Sequence, residues 1–317
     1  MTKPLIIVLP ALARPLLEPH LPADVEVRWF ADAAQAKAMA AGAEIGWLDM
    51  QDRHAVADAI AAGVELKWVS TIYAGMDAFP LDLMRARGTV MTNGVGINTV
   101  AVAEYALLAM LSCAKALPEI VRAQDRREWL PDSPGKVELE ESHALILGYG
   151  AIGRAIGDRL KAFGVDVTGV RRSPDGEQGV IGPDAWRPRL GEFDWIVLAA
   201  PATAETQAMI GAAELAAMKR DAWLINFARG TLVDQAALIE TLRQRRIAGA
   251  FLDVVDPEPL PVDNPLWSLP NVTLSMHASG RAQTRMFLKS GTLFLDNLAR
   301  YRAGQPLVNQ VDLVLGY

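Results

Sequence analysis

The stretch HALILGYGAIGRAIG, residues 143–157, decides how the rest of the chain is read. An apolar segment of strand character runs into Gly148, Gly150 and Gly153, and RAIGDRLKAFG then continues with helical periodicity, with Gly157 one turn further on. A strand that turns through glycines into a helix suits a pyrophosphate. Gly148 permits the tight turn, Gly150 lets the backbone approach the phosphates, and Gly153 lets the helix pack close to the strand. Ala151 and Ile152, inside the same turn, are expected at the dinucleotide too, because the helix N-terminus supplies unpaired N–H donors and a positive dipole end. The GxGxxG spacing alone is weak, since a plain glycine turn between strand and helix looks the same. The second strand VDVTGV, residues 165–170, follows at the distance a βαβ unit requires and gives the spacing its weight.

The residue closing that second strand selects the cofactor. An Asp or Glu there would accept hydrogen bonds from the adenosine ribose of NAD, but the sequence has Arg171, Arg172 and Ser173. A guanidinium matches a phosphate and a carboxylate would repel one, so NADP(H) is favoured, with NAD(H) as the second choice. The plain structural alternative is a pair of arginines solvating a strand end.

Working outward, short β-branched and apolar runs alternate with Ala-rich amphipathic segments, the pattern of helices crossing over between parallel strands. The fold class expected is α/β with two doubly wound parallel-sheet domains, a flavodoxin-like substrate domain and a Rossmann dinucleotide-binding domain, and a cleft between them. In the first, strands are expected at 5–9, 25–30, 44–48, 67–72 and 90–92. A long helix is expected to begin after Asn98 and run through VAVAEYALLAMLSCAKALPEIVRAQ, followed by the proline-punctuated WLPDSPGK. The second domain continues with strands in HALILG, VDVTGV, DWIVLA, AWLINF, AGAFLD and NVTLSM. A closing amphipathic helix is expected over 281–302, and the tail QPLVNQVDLVLGY should return to the first domain. The domains are therefore drawn as 1–98 with 282–317, the substrate and catalytic domain, and 99–281, the dinucleotide-binding domain.

The bulk numbers agree with two globular domains: 317 residues, 51% hydrophobic and 21% charged, where a domain commonly takes roughly 100 to 200 residues. A net charge of −6 with no basic block gives a nucleic-acid partner no electrostatic footprint. No apolar run reaches the ~18 residues of a membrane span, and PLIIVLP is too short and too soon broken by Pro10 to be a signal sequence. A cytoplasmic location is the expectation. The single cysteine, Cys113, lies in an apolar helical run, where a buried thiol is a better reading than a nucleophile. No metal is expected.

Three further segments follow the glycine turn in chain order: NFARGTLVD with Arg229, LDVVDPEPL with Asp253 and Glu258, and TLSMHASG with His277. A guanidinium, a carboxylate and an imidazole are the groups with which a site could hold an anion, keep a proton donor charged and exchange a proton. Arg229 can serve as the cation, and His277, with a reference pKa of ~6.5, as the acid and base. Glu258 can orient the imidazole and favour its charged form. Taken singly, each has a structural reading: a loop ion pair, a solvated charge before Pro259, a satisfied histidine at a strand end. Of the four histidines, His277 stands where parallel-sheet folds place their ligands, at the C-terminal end of a strand.

Together these segments resemble the D-isomer-specific 2-hydroxyacid dehydrogenase family, whose members carry an Arg, a Glu and a His in such contexts. Further echoes are APATAETQAMI, GTLVDQAAL, PLWSLPNV, YAGMD and NTVAVAE, so the match covers nearly the whole chain. The arginine pair and the ending VDLVLGY are most similar to the glyoxylate/hydroxypyruvate reductase branch. The resemblance implies a D-specific 2-oxo acid reductase acting on a small 2-oxo or 2-hydroxy acid. It implies that Ala74, Gly75 and Met76 receive the substrate carboxylate on their backbone N–H groups, with Arg229 and His277 also touching substrate. It places Asp253 at the nicotinamide carboxamide, lines the dinucleotide groove with Pro201, Thr206 and the Ala228 carbonyl, and suggests a homodimer formed through the helix after Asn98. A nucleotide-sensing binding protein of the same fold stays open as the alternative. Two positions depart from the family pattern: Tyr73 stands where glycine is frequent, and Met276 where a proline often precedes the histidine. Trp47 is either a cleft residue or, the better reading, core.

Overall fold

A computed structural model describes residues 4–76 and 79–316; Asp77 of YAGMD and the final Tyr317 lie outside the described residues. Contacts divide the chain into one unit of residues 1–97 and 284–317 and a second of residues 98–283.

In the first unit, β1 (Leu5–Pro10), β2 (Val25–Phe30), β3 (Ile45–Trp47), β4 (Trp68–Ser70) and β5 (Val90–Thr92) form a parallel sheet in the order β2-β1-β3-β4-β5, reversing direction between β1 and β3. Because successive side chains point to opposite faces, Ile7, Leu9, Ile45, Trp47 and Trp68 fill one core, while Ile6, Val8, Phe30 and Val69 fill the other. The helices α1 (Arg14–Leu17), α2 (Ala33–Ala40), α3 (Arg53–Ala62) and α4 (Leu81–Arg87) complete the segment up to β5. Asp32 and Asp52 start α2 and α3, accepting the N–H groups of Gln35 and of His54 and Ala55. Trp47 is core, 2% exposed.

The second unit opens with α5 (Thr99–Ala114) and α6 (Leu117–Asp125), where one long helix was expected. The two are bent by 69°. Pro118, the second residue of α6, cannot donate an N–H to the carbonyl four residues back and its ring would collide with it. The chain breaks just before it, with Ala116 in the left-handed region at φ 46°. The sheet is β6 (His143–Leu147), β7 (Asp166–Val170), β8 (Val180–Ile181), β9 (Trp195–Leu198), β10 (Trp223–Asn226), β11 (Gly249–Leu252) and β12 (Val272–Leu274). All are parallel, in the order β12-β11-β10-β9-β6-β7-β8. The edge strand β8, only two residues long, carries no run the sequence could reveal. The helices α7 (Ala151–Ala162), α8 (Ala212–Ala217) and α9 (Gln235–Arg243) follow β6, β9 and β10. Strands buried on both faces read as unbroken apolar runs, as β9 (WIVL) does with all four residues buried.

The closing helix α10 (Met286–Arg302) starts five residues later than expected, after a 3₁₀ turn at Ser279–Arg281. It belongs to the first unit, where Phe294 stacks on Trp68 with ring centroids 5.2 Å apart. The tail follows it there, with the Val311 N–H donating to the Met91 carbonyl over 2.8 Å.

Candidate active site

Every residue of the candidate site in the second unit stands at the carboxyl edge of its sheet, where parallel α/β sheets bind ligands. After β6, Gly148 takes φ 99°, and a Cβ there would lie 2.4 Å from the Ala200 nitrogen, so both backbone conformation and crowding demand glycine. Gly150 caps α7, and a Cβ built on it would meet nothing within 4 Å. Open space therefore adjoins the first-turn N–H groups of Ala151, Ile152 and Gly153, which have no acceptor within the helix. Unpaired N–H donors at a helix N-terminus form a cradle of the polarity an anion takes. Gly153 presses against the Gly148 carbonyl, holding helix to strand. Tyr149, which the sequence reading passed over, is buried with its ring in the space that side chains at Gly157 and Gly169 would occupy.

After β7, Arg171 lies 3.8 Å from Asp175, and the Arg172 guanidinium donates to Glu205 over 2.7 Å. Both pairs are solvent-exposed, the kind worth at most ~1 kcal/mol each. Ser173 follows directly. After β9, Thr206 donates its hydroxyl to the Pro201 carbonyl over 2.7 Å and accepts the Thr203 N–H over 2.8 Å, which closes the loop beside the glycine turn.

The catalytic candidates come from three neighbouring strands. Arg229 follows β10. The side chain of Asn226, 1% exposed, accepts the Ala228 N–H and donates to the Arg229 carbonyl, each over 2.9 Å, and so fixes the backbone that carries the guanidinium. The Ala228 carbonyl, expected at the dinucleotide, accepts an Arg229 Nη1–H over 2.8 Å. Gly230 lets this loop pass under the next one, since a Cβ there would sit 2.0 Å from the Val255 carbonyl carbon. Asn226 and Gly230 were not foreseen; a polar residue ending the apolar strand WLIN was the available signal.

After β11 comes Glu258, and after β12 His277, with Nδ1 2.8 Å from Glu258 Oε2. Partial burial of Glu258 opposes its ionisation. The hydrogen bond and charge of His277, the Val255 N–H at 3.2 Å and the Arg229 charge outweigh this and hold the carboxyl below its usual range. Glu258 thus feels both cationic candidates at once. An ionised carboxylate only accepts, so His277 donates from Nδ1, which leaves Nε2 as the acceptor nitrogen of the neutral ring.

The turn presenting His277 is strained. Met276 and His277 are both left-handed, with φ 53° and 54°, each costing roughly 1–2 kcal/mol for a residue with a Cβ. Asp253, 2% exposed, offsets that cost. Its Oδ1 accepts the Ser275 hydroxyl at 2.6 Å and the Ala278 N–H at 2.9 Å, its Oδ2 accepts the Ser279 hydroxyl at 2.5 Å, and its own carbonyl accepts the His277 N–H at 2.6 Å. Arg281 donates to the carbonyls of Met276 and His277 from the other side. Both carboxylate oxygens of Asp253, which the resemblance assigned to a carboxamide, are engaged by this turn.

In the first unit, Ala74, Gly75 and Met76 follow β4. Among the described residues, none of their N–H groups donates to a protein acceptor. Tyr73 beside them is 46% exposed. Cys113 is buried, which pushes its thiol pKa up and keeps it inert. No group of three or more His, Cys, Asp or Glu among the described residues is placed to hold a metal ion, and no single helix there is long and apolar enough to cross a membrane.

Comparison with known proteins accords with this geometry. Residues 107–279 match the model of the D-isomer specific 2-hydroxyacid dehydrogenase, NAD binding domain. The glyoxylate/hydroxypyruvate reductase B of Pectobacterium atrosepticum is 34% identical over 255 residues, 77% of this chain and 78% of that protein. The D-3-phosphoglycerate dehydrogenase of Methanocaldococcus jannaschii is 30% identical over 243 residues, 75% of this chain but 46% of the relative, so the match takes in about half of that longer protein. Among solved structures, the NADPH-dependent glyoxylate/hydroxypyruvate reductase of Sinorhizobium meliloti in complex with NADP and malonate superposes with a TM-score of 0.81 at 28% identity. That alignment covers 99% of this chain and 98% of that one. A glycine cradle at a helix N-terminus, an Arg, a Glu and a His on adjacent strand ends, and this spread of relatives make the chain a member of the D-isomer-specific 2-hydroxyacid dehydrogenase family.

Proposed function

We propose that the protein is an oxidoreductase that moves a hydride between NADP(H) and the 2-carbon of a small 2-oxo or 2-hydroxy acid, glyoxylate or hydroxypyruvate in type, with D specificity. The observation that carries this reading is the 2.8 Å His277–Glu258 pair beside the Arg229 charge, at the carboxyl edge of a dinucleotide sheet. When bound, the nicotinamide supplies or accepts the hydride. Arg229 holds the substrate carboxylate and polarises the 2-oxo group. His277 gives a proton from Nε2 to the oxygen as C2 receives the hydride, and Glu258 stabilises and orients the imidazolium. The Ala74–Met76 N–H groups are donors for the substrate carboxylate, and Tyr73 beside them either narrows the room for the acid or stacks on a larger group. Gly148, Gly150, Ala151, Ile152 and Gly153 hold the pyrophosphate, and Pro201, Thr206 and Ala228 border the dinucleotide.

Steady-state oxidation of NADPH and NADH across a panel of 2-oxo acids tests the proposal, and no turnover with any of them would refute it. The cofactor preference has its own test. Replacing Arg171 and Arg172 together by alanine is expected to raise the KM for NADPH about 10- to 100-fold, the loss of one charge-assisted bond or more, with the KM for NADH unchanged. Equal losses for both cofactors would remove the arginines from 2′-phosphate recognition. A homodimer belongs to the same reading, supported by Leu108 on α5 and Leu117, Ile120 and Val121 on α6, all exposed apolar side chains. Sedimentation equilibrium decides it.

A further inference from the structure

Asp49, two residues beyond β3, has no part in the chemistry above, yet its carboxylate reaches the loop that follows β4. Its Oδ2 accepts the Trp47 indole N–H and the Ile72 backbone N–H, each over 2.8 Å, and its Oδ1 accepts the Thr71 hydroxyl over 2.7 Å. The Thr71 oxygen in turn accepts the Tyr73 N–H over 3.1 Å. One carboxylate therefore fixes Thr71, Ile72 and Tyr73 in succession. From the other side, Asn93, 4% exposed, donates to the Ala74 carbonyl over 3.3 Å, and the Gly94 N–H donates to the Tyr73 carbonyl over 2.8 Å. Gripped from both sides, the chain emerges as the three N–H groups of Ala74, Gly75 and Met76.

We propose that Asp49 is a positioning residue for substrate recognition, holding Thr71–Tyr73 so that the Ala74–Met76 N–H row is preorganised for a carboxylate. The inference rests on the substrate role given to that row above. Preorganised donors bind an anion without first spending energy on ordering the loop. Looseness at Tyr73 is transmitted directly to them.

The electrostatics separate this role from fold stability. Asp49 keeps some surface exposure, but the protein packed around its carboxyl pushes it up to about 6, against the opposing pull of its three donors. Tyr73 faces it, its phenol raised by burial and by the Asp49 charge and lowered by Arg53 beyond. A carboxyl raised above its unfolded value, ~3.9, favours folding only in its protonated form. That contribution is complete below the unfolded value and is lost as pH rises through about 6. At neutral pH the ionised group works against the fold, so removing its charge offsets part of the cost of the donors that an asparagine amide, with one acceptor oxygen, leaves unpaired.

The test compares the wild-type protein with Asp49→Asn and with Thr71→Val, which cuts the same link from its other end. Both variants are expected to raise the KM for the 2-oxo acid about tenfold, the value of a hydrogen bond to a charged group. The kcat and the KM for NADPH should not change. The double variant should lose less than the product of the single effects, as for two residues that share one contact among several. Amide hydrogen exchange at Ile72 and Tyr73 should accelerate in both variants, beyond any change at the amides of β1 in the same sheet. An unchanged KM, or a lowered Tm without a KM effect, would overturn the proposal. If the wild-type protein reduces no 2-oxo acid, the substrate reading fails and the exchange data alone judge the positioning claim; equal exchange in wild type and variants would then overturn it.

Discussion

Replacing His277 by alanine is expected to lower kcat by about 10²- to 10⁴-fold, the usual contribution of a positioned general acid, while the affinity for NADPH stays as it was. The asymmetry follows from where the ring sits. Its Nδ1 is occupied by Glu258, its Nε2 is the one free to exchange a proton, and it stands after β12, four strands away from β6 and its glycine cradle in the sheet order. Rapid-mixing measurement of the hydride step, alongside fluorescence titration of NADPH, checks both halves. A variant that lost cofactor affinity in proportion to kcat would show the histidine to be a structural post. Glu258→Gln should lower kcat in the same direction, because its amide oxygen can still accept the Nδ1–H but no longer supplies the negative charge that favours an imidazolium.

Arg229→Ala is expected to act on binding and chemistry together. A bidentate guanidinium–carboxylate contact is two charge-assisted bonds, about 3–6 kcal/mol in all, which corresponds to a loss on the order of 10²- to 10⁴-fold in kcat/KM. KM should carry the larger share, since the carboxylate is held in the ground state as firmly as in the transition state. Arg229→Lys is the informative companion: it keeps the charge and loses the planar fork. If lysine restored full kcat/KM, the contact would be a point-charge attraction and the two-pronged geometry would be wrong. Neither change should release the loop, because Asn226 holds the backbone on both sides of position 229 without using the guanidinium.

The strands were legible because a parallel sheet buried on both faces leaves unbroken runs such as WIVL, and the dinucleotide turn because its glycines answer to close approach, as the Cβ distances at Gly148 and Gly153 show. Arg229, Glu258 and His277 could be singled out by chemistry and resemblance, and Glu258 and His277 do meet. What escaped was whatever depends on contacts distant in sequence. The break between α5 and α6 carried a local signal in Pro118, but the Ala-rich run around it masked where the chain would turn. The work of Asp253 could not be read from LDVVDP, because its partners lie 22 to 26 residues later. Asp49 was invisible for the same reason: its carboxylate reaches 22 and 23 residues ahead, to Thr71 and Ile72.

The doubled left-handed turn at Met276 and His277 makes the histidine's aim a property of a whole cassette, not of one side chain. Proline cannot follow the chain at 276, because its ring fixes φ near about −65° where this backbone needs 53°. Replacing Met276 alone by proline would swing the imidazole off its mark. Residues 275–281 and Asp253 would have to be transplanted together for a chimera to keep the imidazole in place.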